Sequence, residues 1–138
     1  MLRFNWFISN LLSRSDFVII IIFSFWGLSF FPAAKGGLWV GTIGGGLNYL
    51  DTDREACERF VPIEEDTTSL SGWNVLSIWE DERGWVWLGT TKNGLNVFNP
   101  KTGVFHRFPE VSGPGKRPIY SICEDAKQQL WLGTYGGL

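Results

Sequence analysis

The sequence predicts an all-β protein of repeated, side-by-side sheets, preceded by an N-terminal hydrophobic helix. Three observations point there. Leu38-Trp39-Val40-Gly41-Thr42 returns as Val86-Trp87-Leu88-Gly89-Thr90 and again as Leu130-Trp131-Leu132-Gly133-Thr134, at a period in the mid-forties of residues. A fixed period in that range marks a repeat architecture. Each copy is followed by turn chemistry: Gly44-Gly45-Gly46, Asn93-Gly94 and Gly136-Gly137 tolerate the positive φ that tight hairpins need. Finally, 17 glycines and 8 tryptophans among 138 residues suit many tight turns between packed rings.

Bulk properties exclude several function classes. The net charge of −2 and the lack of a Lys/Arg run argue against nucleic acid. Two cysteines, Cys57 and Cys123, are too few for a disulfide framework. Cys123 stands where the preceding repeat has Trp79, so a buried thiol is expected. A Cys57–Cys123 bridge stays open for an exported protein.

Taken in order, Met1–Asp16 carries Arg3 and Arg14, and Phe17–Phe31 then runs fifteen residues without a charge. A spanning helix needs about 20 apolar residues, and a secretory h-region about 7–15. Residues 1–35 are therefore expected to be an export signal, cleaved near Ala34 in Pro32-Ala33-Ala34. The alternatives are an uncleaved signal anchor, with the arginine-bearing end inside, and a buried segment of a cytosolic domain. Superposing the repeats on their tryptophans lays Leu28-Ser29-Phe30-Phe31 under Leu76-Ser77-Ile78-Trp79. The end of the run is thus either a degenerate repeat strand or a signal joined to the middle of a repeat, and both stay open.

Residues 36–138 read as strands. In the first copy Leu38, Val40 and Thr42 share one face and Trp39 and Gly41 the other. Leu38–Thr42 and Gly46–Leu50 form a hairpin, and Glu58–Val61 is a weak third strand. Pro62–Asn74 is a polar loop. Val75–Glu80, Trp85–Thr90, Leu95–Phe98 and Val104–Phe108 then make four antiparallel strands, the content of one propeller blade. Pro109–Pro118 is a second loop, and Ile119–Glu124 and Leu130–Thr134 open a third unit. The expectation is a partial β-propeller with one complete four-stranded blade (75–108) and two incomplete ones (36–61 and 119–138). Such a chain leaves apolar faces that need neighbours, so it is expected to be a piece of a larger protein.

Several stretches carry a longer likeness. Asp66-Thr67-Thr68-Ser69-Leu70-Ser71, Val75-Leu76-Ser77-Ile78-Trp79-Glu80-Asp81, Gly84-Trp85-Val86-Trp87-Leu88-Gly89-Thr90 and Gly94-Leu95-Asn96-Val97-Phe98 resemble the two-component regulator propeller repeat. Ile119–Asp125 with Leu130–Thr134 resembles it too, departing at Gln128-Gln129. The resemblance covers Gly37–Leu138 and implies a periplasmic sensor region of a hybrid two-component system, often concerned with polysaccharides. It implies no catalysis, for the kinase and receiver motifs of that family are not found in this sequence.

Candidate site residues follow from the unmatched aromatics. Trp39, Trp87 and Trp131 recur, and packing between blades accounts for them. Trp73, Trp79 and Trp85 align with Arg117, Cys123 and Gln129, so the scaffold does not demand rings there. They are the candidate ligand contacts, with an oligosaccharide as the expected ligand because sugar C–H faces stack on aromatic rings. Glu80-Asp81 and Glu124-Asp125 are expected to cap turns. Asp51, Asp53 and Glu55 lack an EF-hand pattern and read as a solvated turn. His106, the single histidine, has no nucleophile partner in a recognisable motif. No catalytic residue, metal or cofactor is expected. The expected partners are the remaining blades and downstream signalling domains, and the membrane if the N-terminal segment is uncleaved. A glycan-active propeller enzyme and a vestigial product are the other readings.

Overall fold

The computed structural model describes residues 27–51, 53–54, 56–112 and 117–137. The expected N-terminal helix and most of the expected signal lie outside them. Ten strands are described: β1 (Gly27–Pro32), β2 (Leu38–Thr42), β3 (Gly46–Asp51), β4 (Ala56–Phe60), β5 (Val75–Glu80), β6 (Val86–Thr90), β7 (Leu95–Asn99), β8 (Val104–Phe108), β9 (Ile119–Glu124) and β10 (Leu130–Thr134). They pair antiparallel into sheets β1-β2-β3-β4, β5-β6-β7-β8 and β9-β10. The fold is all-β, a partial propeller.

The first sheet has four strands, where three were expected from Leu38 onward and the end of the apolar run was left open. Gly27–Pro32 pairs with β2 from Gly27↔Thr42 to Pro32↔Leu38, so the end of the apolar run is a repeat strand. The reason lies in its composition: Ser29, Phe30 and Phe31 alternate faces as Ser77, Ile78 and Trp79 do. Each first strand also slips register at the same repeat position, between Gly27 and Ser29, between Val75 and Ser77, and between Ile119 and Ser121. Two blades are therefore complete.

Sheets meet face to face, because a sheet with apolar residues on both faces needs cover on both. Trp39, Leu47 and Tyr49 of the first sheet interlock with Val75, Ile78, Val86, Leu88, Phe98 and Phe105 of the second. Trp79, Trp87, Leu95 and Phe108 of the second meet Ile119, Ile122, Leu130 and Leu132 of the third. Leu70 buries completely and pins the loop 61–74 into the first seam. Arg107 fastens the same loop, donating to the carbonyls of Asp66 and Ser69 at 2.6 and 2.8 Å.

Candidate functional site

Close backbone approach at the seams explains a motif glycine. A Cβ on Gly41 would stand 2.8 Å from Val75 O of the next sheet, and one on Gly89 would stand 2.6 Å from Ile119 O. The serine paired with each glycine, Ser29 and Ser77, lies on the same face. Ser77 Oγ reaches across the seam and donates to Ile119 O at 2.9 Å. On the third sheet Ser121 and Gly133 repeat the arrangement, but among the described residues no sheet covers them. Their neighbours are exposed accordingly, with Trp131 45% accessible against 1% for Trp39. Cys123 is exposed for the same reason. The expected buried thiol is thus corrected: burial at that position comes from the following sheet. Both cysteines are free.

At one end of the sheets the acidic pairs divide their work. Asp81 Oδ1 accepts from the amides of Arg83 and Trp85, both at 3.0 Å, and so closes the β5–β6 turn as expected. Its Oδ2 accepts from the Trp87 indole at 3.1 Å and from Arg83 at 2.6 Å. Burial pushes the Asp81 carboxyl up, yet the donations from Arg83, Trp87 and Trp85 outweigh it and hold the group below the usual carboxylate range. Asp125 repeats the device with Lys127, Gln129 and Trp131. The neighbouring glutamates reach the other way. Glu80 Oε2 accepts from the Trp39 indole at 2.9 Å, and Glu124 Oε2 from the Trp79 indole at 3.1 Å, each across a seam. Ala33 stands where Asp81 and Asp125 stand, so Trp39 lacks an acceptor in its own sheet and takes Glu80. Sequence reasoning missed these bonds; the signal was Glu recurring just before Asp beside buried indoles.

The same end of the first sheet carries an open, mostly polar depression of about 410 Å³ lined by Lys35, Tyr49, Asp51, Arg54, Cys57 and Glu58. Lys35 Nζ lies 4.0 Å from the Tyr49 ring centroid, and the phenol donates to Gly36 O at 2.6 Å. Burial, then the nearby Asp51 charge, raises the Tyr49 pKa, and burial raises that of the Cys57 thiol. Asp51 Oδ1 accepts from the amides of Asp53 and Arg54, each at 3.1 Å, which is the turn role expected of it.

The opposite end collects the loops between sheets. There Trp73, just before β5, is 49% exposed. Its carbonyl accepts from Gly46 N at 2.9 Å. Asn74 beside it accepts from Gly44 N at 2.8 Å and donates to Thr91 Oγ1 at 3.4 Å, tying the β2–β3 turn to the β6–β7 turn. Ile43 in the first of those turns is also exposed. Trp73 thus sits on a rim braced from both neighbouring hairpins, with its ring open.

Trp79 lies towards the far end of β5, about 20 Å away at the usual strand rise. It is partly buried in the second seam with Phe31 edge-on at 5.4 Å. Trp85 is in the β5–β6 turn, stacked on His106 at 6.2 Å with the Arg83 guanidinium 5.0 Å from its ring centroid. Among the described residues no ring contact joins any two of the three.

Comparison with known proteins places the repeat. Residues 112–136 match the model of the two component regulator propeller family. The extracellular domain of a putative hybrid two component system from B. thetaiotaomicron is similar in structure, with 27% identity and TM-score 0.58 over 78% of this chain and 12% of that one. A second such domain from B. thetaiotaomicron, described as a putative one component system, matches at 25% identity and TM-score 0.60, over 78% of this chain and 14% of that one. Another structure of that second domain, described as a hybrid two component system, shares the fold at 24% identity and TM-score 0.57, with coverage of 78% and 15%. This chain therefore spans between 12% and 15% of the solved structures it resembles. No curated protein matches it. Residues 112–136, which carry the third copy of the motif, are thus similar to the two component regulator propeller family, and the blades share the fold of these extracellular domains.

Proposed function

We propose that these blades form part of an extracytoplasmic sensing propeller that binds a carbohydrate and passes the event to downstream signalling domains. The chain performs no catalysis in this reading; its partners are further blades, and the ligand is an oligosaccharide. The observation that carries the proposal is the half-exposed Trp73 ring on a rim braced by Asn74 between two hairpin turns. An exposed aromatic face on a hydrogen-bonded stretch of backbone suits the C–H face of a sugar. Trp79 and Trp85 are further candidate contacts, reached from the opposite end of the sheets. The similar extracellular domains support the sensing role.

Calorimetric titration with a panel of oligosaccharides tests this. Stacking contributes about 0.5–1.5 kcal/mol beyond area burial, so Trp73→Ala is expected to weaken binding by up to about tenfold. Trp85→Ala, measured beside it, reports on the other end. A Trp73→Ala protein that binds as the parent does overturns the rim as the binding surface.

A further inference from the structure

The apolar run Phe17–Phe31 serves two masters in the sequence, and the structure divides it. Gly27–Pro32 is the first strand of a blade by every local test. Its register slip falls where those of β5 and β9 fall. Phe31 pairs with Trp39 as Trp79 pairs with Trp87, and Phe31 packs on Trp79 of the next sheet. The turn that follows is equally built. Ala33 is buried in the first seam, and Ala33 N donates to Gly37 O while Gly36 N donates to Ala33 O. Asp81 N to Trp85 O and Gly84 N to Asp81 O are the counterparts in the second blade. Ala34 N donates to Glu80 Oε2 across the seam at 3.1 Å. A cut after Ala34, at the small residues a signal peptidase favours, would remove this strand and uncover Val75 and Ile78.

We propose that Gly27–Ala34 is retained in the mature protein, any leader processing falling on the N-terminal side of Gly27. The uncharged stretch left for a leader is then Phe17–Trp26. Its length lies inside the roughly 7–15 residues of a secretory h-region and at half of the roughly 20 that a spanning helix needs. The proposal deepens the extracytoplasmic reading, but the retention of the strand stands on the blade geometry alone.

The test is N-terminal sequencing of the full chain, produced in a bacterial host with a C-terminal tag and recovered separately from periplasm, membrane and cytoplasm. The expected first residue is Gly27 or one before it, an uncut Met1 included. A mature chain beginning at Lys35, or anywhere within 28–34, overturns the proposal. Ala34→Lys is the second arm: Ala34 is exposed, so the blade tolerates the change, while a lysine blocks cleavage at that bond. Its N-terminus and distribution are expected to match the parent's, and accumulation of an uncut precursor in the variant alone also overturns the proposal. Uncut chain confined to the cytoplasm would sink the export reading and leave the retained strand standing.

Discussion

Replacing Gly89 by alanine asks whether the blades are held by backbone-to-backbone approach. The new Cβ would stand 2.6 Å from Ile119 O and 2.7 Å from Ile119 Cγ2, and would also meet Ser77 Oγ. Carbon and oxygen rarely come closer than about 3 Å, so something must move. The Ser77 hydroxyl can rotate, at the loss of its bond to Ile119 O. The Ile119 carbonyl cannot, because it belongs to β9 and Ile119 is fully buried. Overpacking of this kind costs about 1–3 kcal/mol. Losing the serine bond adds about 1 kcal/mol. With a urea m-value of about 2 kcal/mol/M, the midpoint should fall by about 1–2 M. Gly133→Ala is the control, since its Cβ would meet only Ser121 of its own sheet, and Gly89→Ala/Ser77→Ala removes the part of the clash that can relax. The expected order of midpoints is parent and Gly133→Ala highest, both Gly89→Ala proteins well below. A Gly89→Ala unfolding free energy within about 0.5 kcal/mol of the parent's, the spread of neutral surface changes, would refute the close seam.

Glu80→Ala should destabilise by about 1–3 kcal/mol, because it orphans the buried Trp39 indole; chemical denaturation beside Glu82→Ala, an exposed neighbour, checks it. Asp81 has a folded pKa below its unfolded value. Its stabilisation is therefore complete above about pH 4 and is lost as the pH falls through the folded value. Asp81→Asn should lower stability at neutral pH and flatten its decline in acid, as thermal melts from pH 7 to pH 2 would record. Cys123 is exposed, whereas Cys57 is half-buried with its thiol pKa raised by burial. At neutral pH a maleimide should thus mark Cys123 first; peptide mass analysis showing Cys57 first would mean that the third sheet's outer face is covered in solution.

The sequence by itself determined the strands and their repeat, because period-two patterning, glycine turns and the Trp-Gly motif are local. From Leu38 onward the strands lie where that pattern puts them, with ends displaced by a residue or two. Asp81 and Asp125 were legible as turn caps for the same reason, since their partners lie within a few residues. Only the tertiary structure decided what crosses a seam. That Phe17–Phe31 gives its last third to β1 depends on pairing with β2 and packing against β5, and hydrophobicity alone cannot distinguish that from a leader. The exposure of Cys123 and Trp131, and the bonds from Trp39 and Trp79 to glutamates more than forty residues away, likewise depend on which sheet comes next. Trp73, Trp79 and Trp85 looked alike as unmatched rings, and the sheets sent them to a rim, a seam and a turn. A side chain's neighbours along the chain are written in the sequence; its neighbours across ~10 Å of stacked sheet are set by how the blades dock.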